Sequence, residues 1–176
     1  MTTPSGTPAT CPDCGFCWAT TSLDDVVPGI DDAVDAMVDV LLRLGGLVAV
    51  RPAVDRWSVL EYAGHVRDVL LSIRERLILA SIVDDYESQP IHRDARVDLG
   101  FYGLDTPEDV ADELDASARL CTKAVACLPE AASNRTMYYS FLSPAPVPLT
   151  WVAAQALHEC QHHLGDMRSV AAAVEG

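Results

Sequence analysis

Four stretches of this 176-residue chain repeat apolar side chains every three to four residues, and no stretch alternates in the two-residue rhythm of a half-buried strand. Such stripes are buried only when helices pack side by side, so the chain is expected to be all-α, a four-helix bundle with long crossover connections. The first stripe runs from Ile30 through Val34, Met37, Val38, Leu41, Leu42 and Leu44, and the second through Ala63, Val66, Leu70, Ile73, Leu77 and Ala80. Val110, Leu114, Ala118, Cys121, Val125 and Leu128 make the third, and Ala153, Leu157, Cys160, Leu164 and Met167 the fourth.

Caps support these boundaries. Ser58 with Glu61 three residues on forms a capping box that opens the second helix. Thr106, with Pro107 at the first helical position and Glu108 and Asp109 behind it, opens the third, and Thr150 is expected to cap the fourth. Asp31, Asp32 and Asp35 suit the amino end of the first helix, which is expected to fray at Gly45 and Gly46 or to run one turn further. Residues 85–104 and 131–148 read as two long connections, the second an ordered wall carrying Tyr138, Tyr139 and Phe141. Residues 1–28 hold Pro4, Pro8, Pro12, Gly15 and Pro28 and no apolar period, so they read as an extension of loop character ahead of a bundle over 29–176. The extension is expected to be ordered by its cysteines or by docking of Phe16 and Trp18, and its removal to leave bundle helicity largely intact.

Charge narrows the partners. With 26 acidic against 12 basic side chains, the net charge of -14 repels phosphate backbones and anionic lipid, so neither nucleic acid nor a membrane surface is an expected partner. The longest apolar run, Leu44 to Val50, is too short to span a bilayer, and the opening lacks a basic-then-apolar signal; the protein reads as soluble and cytoplasmic.

Chemistry concentrates in the histidines. His158 and His162 lie four apart, so both face one side of the last helix, and His65 sits at the margin of the second helix's stripe. Converging in the groove between two packed helices, these three would hold a divalent ion with positions left open, zinc first and nickel or ferrous iron next. Histidines at helix margins are also commonly satisfied by hydrogen bonds alone, and spacing leaves both readings open. His158-Glu159-Cys160-Gln161-His162 matches the His-Glu-x-x-His pattern of zinc proteases, but no sheet is evident to hold a peptide beside it. Glu159 and Asp166 are the candidate acid-base or outer-shell residues. His163 is turned about 100 degrees from His162 and is expected to point away from the site, as His92 is expected to be structural or solvated.

Six cysteines divide in two. Cys121, Cys127 and Cys160 fall in helical patterns and read as core packing, whereas Cys11-Pro12-Asp13-Cys14-Gly15-Phe16 forms a turn that lets two thiolates face one metal. Cys17 would be a third thiolate, and His92 or a second copy of the chain in a homodimer would complete a four-ligand set. Without completion the segment is a redox-sensitive pair or a vestigial knuckle.

Two stretches also resemble one family. Trp57-Ser58-Val59-Leu60-Glu61-Tyr62-Ala63-Gly64-His65-Val66-Arg67-Asp68, with Glu75-Arg76-Leu77 beyond it, is similar to the second helix of the actinobacterial branch of the DinB and mycothiol-dependent maleylpyruvate isomerase superfamily. Ala156-Leu157-His158-Glu159-Cys160-Gln161-His162-His163-Leu164-Gly165-Asp166 resembles its metal-binding last helix. The resemblance implies a DinB-like bundle with His65, His158 and His162 around zinc or another divalent ion. It also implies an enzyme that activates a low-molecular-weight thiol such as mycothiol for transfer to a small electrophilic substrate. A thiol-independent metal-dependent hydrolase, lyase or isomerase is the alternative, and a metal or redox sensor or a noncatalytic bundle the one after it. Arg67 and Arg135 are the candidate anion contacts for a carboxylate or a thiol cofactor.

Overall fold

A computed structural model describes residues 9–128, 132, 135–139 and 145–176. Its long helices are α1 (Leu23–Arg43), α2 (Val59–Ile82), α4 (Pro107–Ala126) and α5 (Leu149–Glu175), with a short α3 (Arg93–Asp98) in the first long connection. α2 packs against α4 and α5, and α1 packs against the same two from the other side, leaving α1 and α2 on a diagonal with little mutual contact. The stripes point inward as their period requires: Ile30, Met37 and Leu41 from α1, Leu70, Ile73 and Leu77 from α2, Leu114 and Cys121 from α4, and Ala153, Cys160 and Met167 from α5 are fully buried, whereas Leu42 of the first stripe is exposed because it lies on the outer face of α1. Two close approaches set the packing. A Cβ on Gly64 would stand 2.7 Å from the Tyr102 ring, and one on Gly29 2.8 Å from the end of Leu157.

Ser58 caps α2 as expected, its hydroxyl accepting from the Glu61 amide at 3.2 Å while the Glu61 carboxylate accepts from the Ser58 amide at 2.8 Å. Thr106 caps α4 through the Asp109 amide at 3.1 Å. Three boundaries differ from expectation. α1 begins at Leu23 rather than near Ile30, because Ser22 and Asp25 make a capping box and buried Val26 extends the apolar face upstream. Pro28 lies inside that helix, where its missing N–H costs a single backbone bond near the amino end. α5 starts at Leu149 behind Pro148, so Thr150 lies within the first turn and is not the cap. α1 ends at Arg43 and a 3-10 turn follows over Gly45–Leu47, Gly45 taking a left-handed φ of 53°.

The connections carry more order than helix periodicity foretells. β1 (Glu87–Ser88) pairs in parallel with β2 (Thr136–Tyr139), which pairs antiparallel with β3 (Val147–Pro148). This small sheet ties both long connections together and sets Tyr139, buried, against Trp151 of α5 at a 5.5 Å ring separation. Tyr138 is exposed at its outer edge, and Phe141, the third aromatic of the expected wall, lies outside the described residues.

The segment ahead of α1 is docked on the bundle. Cys11 and Trp18 join the core, with Trp18 stacked on Trp151 and its indole N–H donating to the Gln155 side chain at 2.9 Å. Residues 23–28 thus belong to α1 rather than to the extension, and the segment ahead of them covers part of α5. Cys127 is exposed at the end of α4 and is not a core residue, while Cys121 and Cys160 are buried; all six cysteines are free thiols.

Candidate metal centre

The site forms where α2 and α5 face each other beneath the docked N-terminal segment. Two i,i+4 pairs run along α5 one residue out of step: His158 with His162, and Glu159 with His163. The one-residue offset turns the pairs about 100 degrees apart around the helix, so they serve different neighbours.

The Glu159–His163 pair faces His65 on α2. Ligating atoms of His65, Glu159 and His163 all lie within 4.8 Å of one another. Glu159 Oε2 is 3.3 Å from His163 Nε2 and 3.9 Å from His65 Nε2, while Glu159 Oε1 accepts from Gln155 Nε2 at 2.7 Å. His163 Nδ1 lies 2.9 Å from Asp166 Oδ2, so both nitrogens of this buried ring meet a carboxylate. The expectation that His163 points away is corrected: it is buried at the centre of the site, edge-on to His65 at 4.9 Å.

The other pair faces the cysteines. Ligating atoms of Cys11, Cys14, His158 and His162 also lie within 4.8 Å of one another, and Cys11 Sγ is 3.7 Å from His162 Nδ1. A third group joins His162, His163 and Asp166. The expected three-histidine set is thus divided, His65 going to one cluster and His158 and His162 to the other. Cys17 stands outside the cysteine–histidine group, and His92, which heads α3 with a left-handed φ of 52°, does not complete it.

Electrostatics prepare His65 and His158 as ligands, whereas the carboxylates around His163 favour its protonated form, so that ring would release a proton on binding an ion. Burial lowers His65 and His158 to about 4, so both rings are neutral at pH 7 with a lone pair to offer. Among the described residues neither ring nitrogen of His65 or of His158 has a hydrogen-bond partner. Burial pushes the Glu159 carboxyl up, but the His163 hydrogen bond and the surrounding histidines outweigh it and hold the group at about 2, ionised. Burial likewise works against the His163 cation, and the Asp166 and Glu159 contacts outweigh it, raising His163 above its ordinary value.

A cavity of about 700 Å³ opens over both clusters. Trp18, Val69, Ile91 and Trp151 give it apolar walls, Arg76 and Arg93 supply positive charge, and Asp13 and Asp94 negative charge, Asp94 standing 3.7 Å from Arg93. Arg76 is buried, its guanidinium 4.5 Å above the Tyr139 ring and donating to the Gln89 carbonyl at 2.7 Å. The expected anion contacts lie elsewhere. Arg67 is buried against Asp68, Asp105 and Glu113, and Arg135 donates to the Ala80 carbonyl and to Asp84; neither lines the cavity. Carboxylates and backbone carbonyls already engage both guanidinium groups.

A family model for the DinB superfamily matches residues 30–167. The chain belongs to the DinB superfamily. Among solved structures it is similar to YfiT from Bacillus subtilis, described as a probable metal-dependent hydrolase with an unusual four-helix bundle topology. The likeness has a TM-score of 0.65 at 14% identity, covering 80% of this chain and 85% of that one, and it shows the DinB-like four-helix fold. No curated protein matches the chain significantly. No helix among the described residues is long and apolar enough to cross a membrane.

The sequence did not lead to the inward position of His163 or to the meeting of the knuckle with His158 and His162. The signal for the first was present, since Glu159 and His163 have the same four-residue spacing as the histidine pair. The second joins residues about 150 positions apart, and no local pattern encodes it.

Proposed function

We propose that this DinB-superfamily protein is a divalent-metal-dependent enzyme acting on a small, partly apolar, anionic substrate, with the metal held by His65, Glu159 and His163. The observation that carries the reading is His65: a neutral, buried imidazole with neither nitrogen hydrogen-bonded among the described residues, facing a carboxylate and a second histidine. Donors about 2.05 Å from a shared ion at a tetrahedral angle stand about 3.3 Å apart. The 3.3 Å and 3.9 Å separations from Glu159 fit such an ion after small side-chain shifts. A buried imidazole without a partner is otherwise unfavourable by about 1–3 kcal/mol per unsatisfied group.

Three protein ligands leave room for a reactant, as in catalytic centres. The chemistry a divalent ion supplies there is Lewis acidity toward a thiol or a water. This chain's residues do the rest. Gln155 holds Glu159 Oε1 so that Oε2 turns to the two histidines, and Asp166 holds His163 at Nδ1, directing Nε2 into the site. Trp18 and Trp151 exclude water from one wall, and Arg76 and Arg93 offer charge to an anionic group in an otherwise acidic protein.

Zinc fits a donor set of two imidazoles and a carboxylate, and ferrous iron or nickel also suits it. For the reaction, the family resemblance favours activation of a low-molecular-weight thiol such as mycothiol for transfer, and the cavity's size supports a thiol and an acceptor together. The description of YfiT favours a second reading, a thiol-independent hydrolase. Calorimetry of the zinc-loaded and metal-free protein against mycothiol, bacillithiol and glutathione separates them. Metal-dependent binding of one thiol supports transfer, and none for all three leaves the hydrolase. If His163→Ala and His65→Ala each retain the full metal content of the parent chain, the proposed centre is wrong.

A further inference from the structure

We propose that Cys11, Cys14, His158 and His162 form a separate, closed zinc site that staples the N-terminal knuckle to α5 and so builds one wall of the cavity. This goes beyond the reading above, since it concerns a different donor set and does not require the His65 centre to be catalytic.

The knuckle is shaped for the task. Cys11 N–H donates to the Phe16 carbonyl at 2.8 Å and Gly15 N–H to the Cys11 carbonyl at 2.9 Å, which folds the turn so that both thiols emerge on one side. Gly15 has φ 76°, a left-handed conformation that a side chain would strain. An antiparallel bridge between Thr10 and Cys17 closes the base of the turn. Trp18 then fixes the turn's place on α5, packing 4.6 Å from the His158 ring and hydrogen-bonding Gln155 one turn earlier on that helix.

This docking puts thiols and imidazoles at ligand distances. A sulfur 2.3 Å and a nitrogen 2.05 Å from one tetrahedral ion lie about 3.6 Å apart, and Cys11 Sγ is 3.7 Å from His162 Nδ1. Asp166 Oδ2 stands 3.6 Å from His162 Nε2, placed to steady the far side of that ring. His158 is 8% exposed and, among the described residues, has no hydrogen-bond partner at either nitrogen. Two thiolates and two imidazoles make a borderline-soft tetrahedral set that suits zinc, and four protein ligands fill it, which marks a structural centre. The segment is otherwise held chiefly by Cys11, Trp18 and the ring contacts of Phe16, so a metal crosslink supplies stability that its small apolar area does not. Asp13 and Trp18, which line the cavity, would hold their places through this staple.

The test uses the whole reduced chain, stripped with chelator and reloaded with cobalt(II). A near-ultraviolet thiolate-to-cobalt charge-transfer band, bleached by zinc, is expected. It should vanish in Cys11→Ser/Cys14→Ser together with one metal ion per chain, and persist in His65→Ala/His163→Ala, which loses the other ion. Failure of this proposal is therefore distinct from failure of the catalytic centre. No thiolate band in the parent chain, or full metal content in the double-serine chain, overturns it. Alkylation of the parent protein covers the case in which the serine chain misfolds. Zinc should slow labelling of exposed Cys14 on the order of tenfold or more while leaving Cys127, also exposed, unchanged. Equal labelling of Cys14 with and without zinc would also overturn the staple.

Discussion

Replacing His65 with leucine should stabilise the metal-free protein and abolish its stabilisation by metal at the proposed His65–Glu159–His163 centre. The side chain is 2% exposed, and leucine is close to it in volume. Among the described residues Nδ1 has no partner, and Nε2 looks across 3.9 Å to Glu159. One fully unsatisfied group at about 1–3 kcal/mol, part of a second, and a deduction of about 1 kcal/mol for ring contacts with Trp57 and His163 leave a net gain of about 1–3 kcal/mol at pH 7. The gain should grow with acid. Burial lowers the folded pKa of His65 to about 4 from 6.5, so between those values the unfolded chain binds the proton and the folded chain does not. The parent chain's stability thus falls as pH drops from 6.5 to 4, by about 3 kcal/mol when the window is crossed, whereas leucine has no proton to bind. Metal reverses the order, because zinc at a thousand times its dissociation constant stabilises the parent by about 4 kcal/mol through this centre. Urea unfolding of both chains, with chelator at pH 7 and 5 and with zinc at pH 7, measures each quantity. A leucine chain that is less stable without metal, or that gains as much from zinc as the parent, would refute the claim that His65 is held unsatisfied for a ligand.

Arg67→Ala should destabilise the fold by roughly 2–4 kcal/mol, somewhat below the figure for a fully buried pair because Asp105 and Glu113 keep water contact, and should leave metal content unchanged. Urea unfolding with elemental analysis checks both, and a loss of ligand binding without loss of stability would restore it as an anion contact. Gly64→Ala should lose about 1–3 kcal/mol in the same assay, since its Cβ would meet the Tyr102 ring at 2.7 Å and that ring is fixed by a 3.1 Å hydrogen bond to Asp68.

The periodicity of Leu70, Ile73 and Leu77 on α2 and of Ala153, Cys160 and Met167 on α5 determined by itself that these segments are helices with those faces inward, because an apolar stripe has no stable alternative to burial. The Ser58–Glu61 box and Thr106 were likewise readable, since a cap is a contact between residues three apart. The start of α1 was masked by Pro28, whose local signal says loop while Val26 and Ile30 are drawn inward by the packed bundle. The histidine spacing pointed to α5 as a candidate metal-binding helix but not to which residues would share a ligand, for four-residue spacing gives a face and not what stands opposite it. Only the tertiary structure decided that His65 on α2 meets Glu159 and His163, and that Cys11 and Cys14 meet His158 and His162. The same packing engaged Arg67 with carboxylates and left Arg76 beside the cavity. Helix formation and capping depend on neighbours a few residues apart, whereas a metal site depends on side chains whose separation in the chain bears no relation to their distance in the fold.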